Sequence, residues 1–536
     1  MTLHYSLLDE PLIRARLVAG GQTVKYSLPA LLVALASDEV RDFPALRPHQ
    51  RHPWHAFLVQ LAALALHCAG RTEPFTDAAA WRAALLALTP DHPDGAAWCL
   101  IAPHDQPAFM QAPVPGGNVS AWKNTLYAAD ELDMLVTSKN HDLKAARMRC
   151  AEPDDWLMAL VSLQTQEGYG GAGNYGISRM NGGGGSRVAI GAVPKGNIGK
   201  RWKRDLDALL NARQSIVDTY GFETNNNHGL LWLLPWDGSG SLSFSILDPF
   251  YIEICRRIRL VGDCQSIRFA KATTSKEIRV ASNNGMGGTG DPWTPIDTNG
   301  EALKVRSKGF SYDLAVALLF GNEYHKRSYF QPTAMNLDKA EGDGWVVVMQ
   351  ALSRGGPTAN KSVTEGYHER RIPVSPTVGR LLARKHTDLL AKVAGERVDA
   401  IGQMRGVLWT ALATLFDQGA EKERFSDSAK DKSSAVTKTF EQAEDARFFD
   451  DLNAEIESPH ADQTRLQWLL GMAERAEKIL LHAFEAGPQG SEQRYRARAA
   501  ALARFHGALR NGKTFPSLAN HYHQSTVEKE PHHEPA

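Results

Sequence analysis

The 536-residue chain has no net charge: 60 lysines and arginines face 60 aspartates and glutamates. That balance argues against a free-standing, non-specific DNA binder, which carries a basic excess. It leaves room for a local basic track on one subunit of a larger assembly. Cysteine is scarce. Cys68, Cys99, Cys150, Cys255 and Cys264 are odd in number and scattered, so they do not form a disulfide framework. The lack of any CxxC pair argues against a structural zinc site and leaves buried free thiols as the expectation. No run of 18 apolar residues occurs, so no membrane span is expected. The opening MTLHYSLLDEPLIRARL carries acids early and lacks an apolar core, unlike a signal peptide. The expected location is the cytoplasm.

Catalytic signatures are missing as well. A Walker loop needs GxxxxGK[ST], so that lysine and hydroxyl meet phosphate and magnesium. Here Gly196 is followed by Asn197, and Gly199-Lys200 by Arg201. Residues 171–176 satisfy GxGxxG by letter, but no strand–helix alternation with an acid about twenty residues on supports a dinucleotide site. There is no HExxH and no GxSxG. His104-Asp105 and His141-Asp142 are HD dipeptides. A metal-dependent nuclease would need further His and Asp ligands, and no spacing nominates them. No catalytic residue, cofactor or metal ligand is therefore expected. The HD-like nuclease stands as an alternative reading, and a nucleic-acid-binding scaffold as another.

What the chain has is a glycine-rich stretch. Nine of the eighteen residues 168–185 are glycine. Residues 161–204 hold seven lysines or arginines and one acid, Glu167, with Tyr169, Tyr175 and Trp202 interleaved. Backbone this rich in glycine lacks the Cβ atoms that keep a ligand from the main chain. Free N–H groups, aromatic faces and clustered cations suit a phosphate-bearing polymer. Arg256, Arg257, Arg259, Arg268, Lys271, Lys276 and Arg279 extend the basic character through a region of strands and turns.

The length calls for two or more domains. Strands are expected at 12–17 and 24–28 about the Gly20-Gly21 turn, then a helix over 28–36. Residues 55–68 are apolar on nearly every face, as a buried helix is. His52, His55 and His67 around it read as core or surface residues rather than ligands. Helices are expected at 154–165 and 203–220, and strands at 230–235 and 242–247. The consecutive polar residues Thr137, Ser138, Lys139, Asn140 and His141 form a loop able to meet bases or phosphates. A second turn-fixed loop, 353–369, has Asn360 and Lys361 near its tip. Beyond Pro373, apolar residues recur at 3–4 spacing in five helices around 378–393, 401–415, 448–456, 466–484 and 495–509. A polar linker is expected at 419–438. The fold class is therefore α+β: a large mixed N-terminal domain (1–373), a C-terminal four-helix-type bundle (374–515) and a disordered tail (516–536).

Several short motifs stand in a telling order. They are Leu7-Leu8-Asp9-Glu10-Pro11 with its glycine hairpin, PAFMQ at 107–111, Gly168-Tyr169-Gly170-Gly171, GLLWLLP at 229–235 and GGPTANKSVTEGYHERR at 355–371. With these motifs and the C-terminal helices, the chain resembles the CasA family, the large subunit of the type I-E CRISPR surveillance complex Cascade, over nearly its whole length.

The resemblance implies a non-catalytic protein. Such a subunit recognises the PAM beside the target in double-stranded DNA, starts strand separation and contacts the displaced strand. It also helps to recruit the helicase-nuclease. Its partners would be the crRNA-containing Cascade subunits, the DNA and that effector. Carried over, the glycine loop is Gly168, Tyr169, Gly170 and Gly171. The lysine finger is Lys271 or Lys276. The wedge carries Asn360 and Lys361, where the family often has glutamine. The loop from Thr137 to His141 would touch the guide's 5′ end and the backbone subunits.

Overall fold

The structure is a computed structural model. It describes residues 2–132, 148, 150–182, 187–223, 227–281, 286–306, 308–321, 329–336, 344–353, 366–383, 387–419 and 425–527. The chain divides into two compact units, one of Met1–Phe310 with Arg327–Pro373, the other of Ser311–Lys326 with Val374–Ala536. The α+β class read from the sequence is the class observed.

The first unit begins with a small antiparallel sheet. Strand Ile13–Leu17 lies between Thr23–Tyr26 and Val40–Asp42, in register Ile13 to Tyr26 and Arg16 to Asp42. Gly20 and Gly21 turn the hairpin at φ +73° and +66°, a backbone region that side chains disfavour. Ser27 caps helix Leu28–Ala36, and Pro29 sits in its first turn.

Helix Arg51–Cys68 is the centre of this unit. Every residue from His52 to Leu66 is buried, as its all-round apolar sequence requires. Two of its buried polar side chains, Gln60 and His55, are matched, whereas the ring nitrogens of His52 have no hydrogen-bond partner among the described residues. Gln60 donates to the carbonyls of Phe250 (3.3 Å) and Tyr251 (3.1 Å) in strand Leu247–Ile252. His55 Nε2 meets Asp205 Oδ2 at 2.7 Å on helix Ile198–Tyr220. Burial, with Arg201 adding to it, lowers His55 to about 4, so it is neutral and donates to the carboxylate.

The motifs at 107–111 and 229–235 are scaffold. Gln111 Nε2 donates to the carbonyls of Leu100 and Phe109, and its Oε1 accepts from Leu260 N at 2.6 Å. Trp232 Nε1 donates to Ala97 O at 3.0 Å. The strands expected at 230–235 and 242–247 are much shorter. His228–Leu230 and Leu242–Ser243 each run into a 3-10 turn, Leu231–Leu233 and Phe244–Ile246. Consecutive Leu231 and Trp232 are both fully buried in the first of these turns.

The thiols correct the sequence reading in part. Cys99 and Cys255 are buried, but Cys68, Cys150 and Cys264 are exposed. Among the described residues no helix is long and apolar enough to cross a membrane.

The second unit is helical. Its four long helices are Asp388–Phe416, Asp427–Glu457, Ala461–His482 and Ser491–Arg510. Helix Tyr312–Phe320 joins them from earlier in the chain. Its Tyr312 ring stacks on Phe448 at 5.1 Å, and its N–H donates to Asp445 Oδ1 at 2.5 Å.

Three expectations differ here. The break between the first two predicted helices falls earlier, since Asp388–Phe416 is continuous. Most of the expected linker is helical from Asp427, with Ser426 accepting from Ala429 N. Its buried face runs Ala429, Ser433, Thr437, Phe440, Glu444 and Phe448. Ser433 and Thr437 donate back to the carbonyls of Ala429 and Ser433, so hydroxyl residues act there as small interior residues. Glu444 is matched by Arg475 at 2.7 Å. Finally, the stretch expected as a disordered tail is helical over Pro516–Val527, because Phe515, Leu518 and Ala519 are buried.

Phe440, two residues beyond the segment that reads as linker, is fully buried on the same helix. Phe440→Ala is expected to lose about 3–5 kcal/mol of stability, seen as a lower urea midpoint by circular dichroism. Amide protection over 427–438 should fall with it.

Candidate nucleic-acid interface

Helix Pro153–Gln166 delivers the glycine loop. Glu152 and Asp155 form a capping box at its start, with Pro153 in the first turn. At its end Gln164 pins the chain beneath. Its Nε2 donates to Met110 O (2.9 Å) and Arg256 O (3.0 Å), and its Oε1 accepts from the N–H groups of Cys255 and Arg256. The helix stops as Glu167 turns extended.

Arg256 then holds the loop from below. Its guanidinium donates to Gly168 O at 2.7 Å and to Tyr175 O, joining the two limbs. Ile177 N bonds to Glu167 O (3.0 Å), Gly170 N to Asn174 O (2.8 Å) and Asn174 N to Gly171 O (2.9 Å). A second anchor comes from the segment after strand Ile267–Thr273. Ser275 N donates to Gly173 O at 2.9 Å, and Tyr175 Oη donates to Lys276 O at 3.0 Å. Gly173 has φ +79°, and an added Cβ would lie 2.5 Å from Thr274 Cβ, so glycine is required there.

The tip differs from the base. Gly168 is buried, whereas Tyr169, Gly170 and Ala172 are exposed. Gly171 has φ +109°, and nothing lies within 4 Å of where its Cβ would be. Tyr169 and Tyr175 lie with ring centroids 6.2 Å apart. A short run of bare, anchored backbone thus projects from a fixed base.

Much of the cationic character read from the sequence is internal. Arg187 and Arg179 both pair with Asp291, at 2.6 and 3.2 Å, and Arg179 lies over the Tyr251 ring at 3.7 Å. Arg204 pairs with Asp205 at 2.7 Å. Trp202 is fully buried and donates to Leu58 O, so it is a core residue and not a stacking face. Arg259 donates to the carbonyls of Ala102, Pro103, Gln106, Gln111 and Ala112, and burial lowers it to about 9. Arg279 donates to Leu234 O and lies over Trp236. These arginines answer buried carbonyls and carboxylates. Lys195, Lys200 and Lys203 remain exposed.

The two candidate fingers are placed differently. Lys276 is exposed, and its backbone is tied to the glycine loop through Tyr175. Lys271 lies on strand Ile267–Thr273, opposite Thr125 of strand Asn124–Leu126, and its Nζ donates to Thr125 Oγ1 at 2.8 Å. Thr137, Ser138, Lys139, Asn140 and His141 lie outside the described residues. So do Asn360 and Lys361, in the segment between the neighbouring strands Trp345–Ser353 and Gly366–Val374. His141-Asp142 also lies outside them. Among the described residues no group of three or more His, Cys, Asp or Glu side chains is placed to hold a metal ion.

Sequence reasoning singled out the glycines but not what holds them. Gln164, Asp291 and Glu253 gave no local signal, and Arg256 read as one basic residue among seven. Glu253 accepts from Ser178 N (2.7 Å) and Ser178 Oγ (2.9 Å) directly below the loop.

A mixed α+β unit with a helical second unit and a projecting glycine loop is a fold with known counterparts. The chain has the Cse1/CasA fold. It is similar to the CRISPR-associated protein Cse1 from Acidimicrobium ferrooxidans (TM-score 0.63, 14% identity), covering 97% of this chain and 99% of that one. It is also similar to Thermus thermophilus CasA (Cse1) (0.60, 16%; 95% and 99%) and to Thermobifida fusca Cse1 (0.58, 14%; 96% and 98%). No family sequence model matches the chain, and neither does any curated protein.

Burial pushes Glu253 up to about 7 from its ordinary 4.5, against the opposing pull of Arg179. An acid that holds its proton more tightly when folded stabilises most at low pH. That contribution is lost as pH rises from 4.5 through about 7. Glu253→Gln keeps the neutral form at every pH. Relative to wild type it should gain stability between pH 5 and pH 8, by on the order of 3 kcal/mol at most, read from urea midpoints at the two values.

Proposed function

We propose that this chain is a non-catalytic large subunit of a type I-E CRISPR surveillance complex, and that its glycine loop reads the PAM of double-stranded DNA. The observation that carries the reading is the side-chain-free backbone at Gly170, which is exposed, and Gly171, which is half-buried with nothing within 4 Å of where its Cβ would be, on a base fixed by Arg256. It stands in a chain with the Cse1/CasA fold over nearly its full length. Bare peptide enters a minor groove about 6 Å wide where side chains would clash. The minor groove distinguishes base pairs poorly, which suits a reader that accepts several PAMs. Guide pairing supplies the remaining sequence information.

Lys276 is the cation beside this loop, and we assign it the contact with the adjacent backbone or base edge. Gly168 anchors the loop rather than touching DNA. Asn360 and Lys361 form the wedge that opens the first pair, and residues 137–141 meet the guide and its subunits. The same subunit contacts the displaced strand and helps to bring in the helicase-nuclease. A zero net charge fits a member of an assembly whose RNA-binding neighbours add positive field.

The test uses the full chain reconstituted with guide RNA and the other complex subunits. Gly170→Trp with Gly171→Trp is expected to weaken binding of a PAM-bearing duplex at least about ten-fold, with assembly unchanged. Lys276→Ala should lower affinity and reduce the salt slope by about 0.9, while Lys271→Ala should leave duplex affinity alone. Wild-type duplex affinity in the double-tryptophan variant would remove the loop from PAM reading.

A further inference from the structure

A second surface carries the same chemistry in another form. Strand Ile267–Thr273 is the middle of a three-stranded antiparallel sheet, between Arg257–Gly262 and Asn124–Leu126. Successive residues of a strand face opposite ways, so Phe269, Lys271 and Thr273 share one face. Ala270, between them, is fully buried. On the shared face Tyr127 is 70% exposed, with its ring 6.1 Å from that of Phe269. One two-residue step along the strand, about 7 Å, brings Lys271, fixed by Thr125. Lys123 is exposed on the approach to strand Asn124–Leu126. Arg257, opposite Thr273, continues the row of cations and lies over Trp122 at 5.1 Å.

The Tyr127 ring packs on Phe269 with one side and leaves most of its surface to solvent, 70% exposed. The Tyr127 backbone N–H is taken by the Glu131 carboxylate, and with Lys271 and Lys123 along the row the ring offers what a single-stranded nucleic acid needs: a face for an unpaired base and positive charge for the phosphates beside it. A duplex offers no free base face, and a lipid surface would call for an apolar rim. We infer that this sheet face binds single-stranded nucleic acid, with a base stacked on Tyr127 and Phe269 and the adjacent phosphates on Lys271 and Lys123. This inference rests on the reading of the chain as a nucleic-acid-binding subunit. It uses residues separate from the glycine loop, so the two can fail independently.

The experiment is fluorescence anisotropy of the purified full chain with a labelled 20-nucleotide oligo(dT), repeated with oligo(U). The two arms distinguish a DNA strand from an RNA guide as the source of the ligand. Tyr127→Ala is expected to weaken binding about ten-fold, and Tyr127→Trp to restore it. Lys271→Gln should lower the salt slope by about 0.7. Gly170→Trp with Gly171→Trp should leave oligonucleotide binding intact while losing the PAM duplex. Equal affinity of Tyr127→Ala and wild type overturns the assignment. So does a wild-type chain that binds neither oligonucleotide, which would return the patch to a protein partner.

Discussion

The need to supply donors to peptide carbonyls turned into the core at the base of the glycine loop is the constraint on which this region rests. Gly168 and Tyr175 turn their carbonyls inward, and the Arg256 guanidinium answers both. Arg256 is itself placed because Gln164, at the end of a buried helix, holds its backbone by both N–H and C=O. A buried carbonyl without a donor costs about 1–3 kcal/mol, so helix end, strand start and loop base are specified together. The rigidity of the loop is therefore a product of the core, and its exposed tip needs no side chains of its own.

The same logic explains where the positive charge went. Arg179, Arg187, Arg204, Arg259 and Arg279 belong to the same two basic stretches as Tyr169 and Lys276, yet all five are buried. Buried charges persist when they are paired and hydrogen-bonded. Two share Asp291, one pairs with Asp205, and two are wrapped by carbonyls. The outward-facing remainder includes Lys276 beside the loop, and Lys195, Lys200 and Lys203 elsewhere.

Regular elements were legible wherever one face is apolar and the ends are marked. Helix Leu28–Ala36, with Ser27 and Pro29 at its start, coincides with its expected span, and the buried helix was evident from its composition. Helix Asp427–Glu457 was obscured because its inner face uses Ala, Ser and Thr, which carry no hydrophobic period. The short turns after His228–Leu230 and Leu242–Ser243 depend on tertiary burial of consecutive side chains, which local propensity does not encode. In the site, glycine density pointed to the loop, since few other reasons exist for so many residues without Cβ. The sequence held no sign of which arginines would be internal. That depends on partners as far away as Asp291, some 104 positions from Arg187.

Tryptophan is unevenly shared between the two units. Seven indoles, those of Trp54, Trp81, Trp98, Trp156, Trp202, Trp232 and Trp293, are among the largest fully buried side chains, and all belong to the first unit. The second holds only Trp409 and Trp468. Intrinsic emission is thus an optical reporter of the first unit almost alone, while far-ultraviolet ellipticity is weighted towards the helices of the second. The two signals, followed side by side, give separate melting curves from one unlabelled sample.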